Sequence, residues 1–334
     1  MSVKIEGQYP VIERRRTGLF SLDVAVGNKL TGELGLAQRT ITEIYGHPNV
    51  GKSTLTYYLS GKMAQPDKKI AICDLEMLDR EYLARTLELT GYDGTVKIMD
   101  STDEKGKPLS HEDMLMEMAS TLYGEETGVA VLDSIGSIQP IAEASGDFGE
   151  AFMGKRAKLV AQVCRSLQTA LRNKDHPSAA FIINHVYDIL GGRGHTTAGG
   201  KVLTSLSAQR IMLWTAETLR ADDNDPNSVL GFYVNGQTEK LRYGPRGGTF
   251  GFYIVPNYGV HQGASAMFDC FEYGIAERGT HVKIGGKSLG FLKKDLLTYA
   301  ATGKQRKFDP FVEALQEYES DKFKSQVGTN AAQD

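Results

Sequence analysis

Cysteine is scarce in this 334-residue chain: three residues, Cys73, Cys164 and Cys270, far apart and odd in number. That spacing excludes a disulfide framework and a cysteine-based zinc site, and a reducing cytoplasm is the expected setting. Long apolar runs are missing too. No stretch of about 18 apolar residues exists to span a membrane. The opening Met-Ser-Val-Lys-Ile-Glu-Gly lacks the apolar segment of a secretory signal. Charge of one sign does not dominate: 38 Lys+Arg stand against 41 Asp+Glu, a formal −3. This excludes a histone-like polycation and an acidic disordered chain. Glycine, in contrast, is plentiful at 37 residues, above the ~7% norm. Glycines let backbone approach phosphates and let loops move. The length suffices for one large domain and a smaller one.

Short apolar runs alternate with longer helical stretches from Thr17 onward. Thr40–Tyr45, Lys69–Cys73, Val129–Leu132, Ala180–Ile183 and Arg210–Trp214 read as strands. They are nearly continuous apolar runs, as expected of a sheet buried on both faces. The intervening lengths suit crossover helices, which predicts an α/β core with a largely parallel sheet. Gly231–Val234 and Phe250–Val255 predict an antiparallel extension. Ala264–Arg278 carries apolar residues at helical spacing, including Met267, Phe271 and Ile275. Gly285-Gly286 predicts a hairpin turn, and Asp309-Pro310 the start of a last helix. Residues 1–16 end in Glu13-Arg14-Arg15-Arg16 and read as a polar arm with solvated arginines. The expected organisation is an arm over 1–16, a large α/β core over 17–262, and a small C-terminal domain with a tail over 263–334.

Gly46-His47-Pro48-Asn49-Val50-Gly51-Lys52-Ser53 matches G-x-x-x-x-G-K-[ST] between a predicted strand and a predicted helix. In that context backbone N–H groups and the helix N-terminus face phosphate oxygens. Lys52 would neutralise the β/γ-phosphates, and the Ser53 hydroxyl would ligate Mg²⁺. Asp133 ends a buried strand, where a carboxylate faces the ligand crevice and can hold Mg²⁺ through water. A carboxylate after the strand Lys69–Cys73 could orient or deprotonate an attacking water. Pattern alone leaves Asp74 and Glu76 both open for that role.

Several ordered segments resemble the RecA family: Cys73–Tyr82, Leu132-Asp133-Ser134-Ile135, Gly146–Gly154 and Thr196–Gly200. The resemblance covers about Thr17 to Gly290. It implies a RecA-like ATPase core with a mostly parallel central sheet and a small C-terminal α/β domain. It implies that Glu76 is the catalytic base, Tyr82 stacks on adenine, and Asp79 reaches the adenine edge. Thr54, beside Ser53, joins the ATP-binding set. His185 stands where bacterial RecA has Gln and is similar to phage UvsX-like recombinases; it would sense the γ-phosphate. The glycine-rich Gly191–Gly200 corresponds to the second DNA-binding loop, with Arg193, Gly199, Gly200 and Lys201 as candidate contacts. The helix after Gly154 puts Lys155, Lys158, Gln162 and Arg165 on one face. The family places DNA ligands at Met153, Lys158 and Arg165. Leu159, Val163 and Leu167 should face the sheet. Lys240, and with it Arg242, would reach the ATP of a neighbouring subunit, Thr238 occupying the place of a second lysine.

The function expected is an ATP- and Mg²⁺-dependent recombinase. It would form helical filaments on single-stranded DNA and exchange strands with a homologous duplex. The same phosphate loop would serve two rivals: a ring-forming helicase or motor, and a non-filament accessory protein switched by ATP.

Overall fold

The computed structural model describes residues 12–28, 31–100, 102, 109–141, 151–188, 195–244, 246–302 and 305–330. The chain opens with β1 (Arg14–Arg15), α1 (Phe20–Val26) and β2 (Leu36–Ala37). Next come β3 (Thr40–Gly46), α2 (Lys52–Met63), β4 (Lys69–Asp74), α3 (Arg80–Glu88) and β5 (Val96–Met99). The core continues with α4 (His111–Tyr123), β6 (Thr127–Asp133), α5 (Ala151–Asn173), β7 (Ala179–Asp188), β8 (His195–Thr197) and α6 (Gly200–Leu206). Long strands β9 (Gln209–Arg220) and β10 (Val229–Leu241) follow, then β11 (Thr249–Val255) and β12 (Gly259–Val260). The last third holds α7 (Gln262–Glu272), β13 (Ala276–Glu277), β14 (Lys283–Ile284), β15 (Lys287–Ser288), α8 (Lys293–Ala301) and α9 (Asp309–Asn330).

The central sheet runs β12-β11-β10-β9-β3-β7-β6-β4-β5, with β8 folded back on β7. From β5 to β9 all neighbours are parallel; β10, β11 and β12 continue antiparallel. Every residue of β3 and β6 is buried, which is why these strands read as apolar runs. Strand β3 lies between β7 and β9, so its carboxyl end opens into the crevice where such sheets bind ligands.

One core lies under α2, with Leu55, Leu59 and Met63 against Ile44, Ile72 and Val131. The other face packs α4 and α5 on the sheet through Met114, Met118, Val163, Cys164 and Leu167. The buried positions among the described side chains of α5 are Val160, Ala161, Val163, Cys164, Leu167, Ala170 and Leu171, an apolar face at helical spacing. Leu159 is only half-buried at the margin of that stripe. A third core joins Leu219, Leu230, Tyr253 and Val255 of the outer strands to α7, α8 and α9. The expected boundary at 262/263 falls at the start of α7.

Three expectations need correcting. Arg14 and Arg15 near the N-terminus are half-buried, and Arg16, though exposed, is paired. Arg14 donates to the backbone carbonyls of Val26, Gly35 and Tyr243, and Arg16 pairs with Asp23 and Glu319. The planar fork of Arg14 gives it donors for three carbonyls from three separate segments at once. The helix expected over 264–278 ends at Glu272, because Gly274 turns the chain at φ +69°. Strands β9 and β10 run well past Trp214 and Val234 as a long antiparallel pair. Strand β5 had no expectation, since only Met99 in it is buried.

Candidate active site

The phosphate loop grows from the end of β3. At Gly46 a Cβ would lie 2.4 Å from the Leu213 carbonyl oxygen, so only glycine lets β3 and β9 stay paired there. Asn49 and Gly51 adopt φ of +62° and +82°, which curls the backbone before α2 begins at Lys52. Such a curl makes a concave nest of N–H groups at a helix N-terminus. Lys52 is buried, and its ammonium donates to the His47 carbonyl at 2.8 Å. Burial lowers its pKa, against which the nearby Glu76 and Asp133 carboxylates work.

Above this loop lies a cavity of about 590 Å³. Pro48 through Thr54 line its floor, and Glu76, Tyr82 and His185 its sides. Thr215, Phe232, Val234, Ile254, Pro256 and Asn257 form a wall that sequence reasoning missed. These residues come from β9 to β11 and the turn beyond, and carry no motif; only sheet pairing brings them to the loop. The Tyr82 hydroxyl meets Thr54 Oγ1 at 2.8 Å, fixing the ring against the start of α2.

The two carboxylates left open by pattern have different surroundings. Asp74 accepts from the backbone N–H of Glu76 and of Leu78, both at 3.0 Å, and so shapes its own loop. Glu76 points into the cavity. Its Oε1 accepts from Ser134 Oγ, from Ser137 Oγ at 2.8 Å, and meets His185 Nε2 at 3.1 Å. Burial alone would raise its pKa, but the hydrogen bonds from Ser134, Ser137 and His185 outweigh it and hold the carboxyl below the usual range. Asp79 Oδ1 caps α3 by accepting from the N–H of Glu81 and Tyr82, and Asp79 is not among the residues that line the cavity.

Asp133 sits behind the floor, 3% exposed. Burial raises its pKa, opposed by the hydroxyls of Tyr57, at 2.7 Å, and Ser53. Its Oδ1 has no hydrogen-bond partner. A buried, unpaired carboxylate oxygen beside a serine hydroxyl fits Mg²⁺, a hard cation that takes oxygen ligands. Among the described residues no cluster of three or more His, Cys, Asp or Glu could form an all-protein metal cage.

A family model for the RecA N-terminal domain matches residues 3–234. The chain belongs to the RecA family. Relatives named Protein RecA include those of Frankia casuarinae, 28% identical over 295 residues, and Leifsonia xyli, 29% identical over 279 residues. These alignments span 87% and 82% of this chain and 79% and 72% of the relatives. A third, from Saccharopolyspora erythraea, is 28% identical over 284 residues, spanning 84% of this chain and 76% of that protein. The chain is accordingly a RecA-family recombinase with the family's DNA-dependent ATPase.

The remaining candidate residues of this RecA-family chain lie outside the cavity. Lys158, Gln162 and Arg165 are exposed on one face of α5. Helix α5 packs against α6, whose first turn carries exposed Gly200 and Lys201, so these cations share a surface. Gly199 and Gly200 have φ of +85° and +63°. The side chains of Met153 and Lys155, and all of Arg193, lie outside the described residues. Lys240 donates to the Thr204 and Ser205 carbonyls at 2.7 and 2.8 Å, and Arg242 to Ser205 at 3.0 Å. Lys240 is in register with Arg210, whereas the phosphate loop is in register with Leu213. The offset places Lys240 about 10 Å back along the sheet from its own phosphate loop. No helix among the described residues is long and apolar enough to cross a membrane.

Proposed function

We propose that this chain binds ATP with Mg²⁺ in the cavity over Gly46–Ser53, assembles into filaments on single-stranded DNA, and catalyses homologous pairing and strand exchange. The observation that carries the reading is the contact between Glu76 Oε1 and His185 Nε2 at 3.1 Å. It joins an acid in the nucleotide cavity to β7, which continues through the β7–β8 hairpin beside the second loop. A group that positions an attacking water is thereby connected to the part of the chain that meets DNA.

In this reading the N–H groups of the loop from Gly46 to Ser53 hold the phosphates, and Lys52 exchanges its bond to His47 for phosphate oxygens. Ser53 and Asp133 are the residues that would hold Mg²⁺, which would supply positive charge to the phosphate oxygens. Glu76, kept ionised by its three donors, orients the water and accepts its proton. Tyr82 offers its ring to the adenine. Met153, Lys155, Lys158 and Arg165 of α5, with Arg193, Gly199, Gly200 and Lys201, contact the DNA backbone. Lys240 and Arg242, remote from their own phosphate loop, serve the ATP of the adjacent subunit and stabilise transition-state charge there. The wall from β9 to β11 keeps water other than the nucleophile away.

The test is the ATPase rate with and without single-stranded DNA, together with imaging on single-stranded DNA and a non-hydrolysable ATP analogue. Stimulation by DNA and open helical filaments are expected. Equal rates, or closed rings, would overturn the reading.

A further inference from the structure

A buried polar cluster lies beneath the active site. Glu43, in the middle of β3, is 0% exposed. An ionised carboxylate in such a position requires partners for both oxygens. Oε1 accepts from Asn184 Nδ2 at 2.8 Å, and Oε2 from Arg210 Nε at 2.5 Å. Asn184 Nδ2 also donates to the Ala198 carbonyl at 2.8 Å, and its Oδ1 accepts from the His185 N–H at 2.8 Å. The Arg210 guanidinium stacks 4.7 Å from the Tyr45 ring centroid. One Nη reaches Thr197 Oγ1 at 3.4 Å, and the other lies 3.8 Å from the Glu239 carboxylate.

Glu239 reaches Arg210 because β10 carries an irregularity there. Thr238 pairs with Ile211 and Lys240 with Arg210, leaving Glu239 as an extra residue in the ladder. A bulge of this kind re-aims a side chain. Five segments therefore meet around one carboxylate: β3, which ends in the phosphate loop and carries Glu43, β7 and β9, whose Asn184 and Arg210 bond it, and, through those two, the returning stem of the second loop at Thr197 and Ala198 and the strand β10 carrying Glu239 and Lys240. Replacing a buried ion pair by apolar residues often costs a fold nothing. The cluster's geometry, rather than its stability, is its distinguishing property.

We propose that Glu43, through Arg210 and Asn184, is a positioning residue that ties the stem of the second loop to the strand bearing Lys240. The inference rests on the recombinase reading above. Displacement of the β7–β8 hairpin on one side of Arg210 is passed to Glu239 and Lys240 on the other. DNA held by one subunit is thus felt at the ATP of the next.

The test compares Arg210→Lys, Thr197→Val and their combination. The lysine keeps a positive charge for Glu43 but has no planar fork to reach Thr197 and Glu239 together. The valine keeps the shape of Thr197 and removes the hydroxyl. For each, kcat with and without single-stranded DNA, KM for ATP and the melting temperature are measured. The stimulation factor is expected to fall by about fivefold or more in Arg210→Lys, and by about twofold in Thr197→Val, with KM for ATP shifted less than about twofold. The combination should be no worse than Arg210→Lys alone, because both cut one connection. Unchanged stimulation in a folded Arg210→Lys protein, or losses that multiply in the combination, would overturn the proposal. Should Arg210→Lys not fold, Thr197→Val decides alone: full stimulation overturns the proposal and a twofold loss supports it. A wild-type chain that DNA does not stimulate overturns the recombinase reading itself, a result distinct from a stimulated wild type with indifferent variants.

Discussion

Replacing Glu76 by glutamine separates chemistry from architecture at this site. The glutamine Oε1 can still accept from Ser134, Ser137 and His185, so the three donors that converge on Glu76 keep an acceptor. The negative charge is what disappears. Without it the site cannot take a proton from water, a contribution worth about 10²–10⁴ in rate. At 1.36 kcal/mol per tenfold this adds about 3–5 kcal/mol to the barrier. ATP binding, which rests on the phosphate loop, should change little. Asp74→Asn is the control. Asp74 uses both oxygens on backbone N–H groups of its loop, and asparagine can serve only one of them. The lost bond costs about 1 kcal/mol of loop order and a correspondingly smaller drop in kcat. Glu76 is held below the usual carboxylate range, so it stays ionised through that range and any acid limb it gives to the rate lies below that of an ordinary carboxyl group. The assay is steady-state ATP hydrolysis at saturating ATP and single-stranded DNA, with binding of a fluorescent ATP analogue measured in parallel. A Glu76→Gln protein that kept more than about a third of wild-type kcat, or lost less than Asp74→Asn, would refute the assignment of the base.

Three further outcomes follow from the geometry. Lys52→Ala removes a charge-assisted contact to phosphate and should weaken ATP binding about 10–100-fold by calorimetry while leaving the melting temperature nearly unchanged; equal affinity would refute its role. Gly46→Ala places a Cβ 2.4 Å from a backbone oxygen of β9 and should cost on the order of 1–3 kcal/mol, read as a lower melting temperature; an unchanged transition counts against the close approach. Asp269 is 1% exposed under α1, and burial raises its carboxyl from 3.8 to about 7 despite its hydrogen bonds from Ser21. Because the folded value is the higher one, its stabilising contribution is complete below pH 3.8 and is lost as pH rises through about 7. The loss approaches ~4 kcal/mol above that point. Asp269→Asn should therefore raise the melting temperature at about pH 8 and hardly at all near pH 4, and a gain independent of pH would contradict the sign.

The parallel strands and the phosphate loop were legible because each depends on a local pattern. Continuous apolar runs marked β3, β4, β6 and β7 to within a few residues at most ends. What escaped was set by distant partners. Strand β5 is four residues long at the sheet edge, and Lys97 interrupts its apolar residues, so it gives no continuous apolar run to read. The cavity wall at Phe232, Val234 and Ile254 becomes part of the site only through pairing of β10 and β11 with the core. Asp79 occupies both a motif position and an N-cap, and the nearer interaction holds its side chain. Glu43 lies inside a fully buried strand, where sequence offers no reason to expect that Asn184 and Arg210, about 140 and 170 residues away, will meet it.

The place of β3 in the sheet has a consequence for how the protein is made. Both of its neighbours come late: β7 pairs with it from Ala179 and β9 from Gln209. A ribosome adding about 5–20 residues per second needs roughly 7–30 seconds to reach the first of them. Throughout that interval a strand that is fully buried in the finished fold has emerged with neither neighbour beside it. During this time the nascent chain presents two unpaired strand edges around its future nucleotide loop, the condition under which chains aggregate or recruit chaperones. Protection of β3 from hydrogen exchange should therefore lag behind that of the early β4–β5 pair during synthesis.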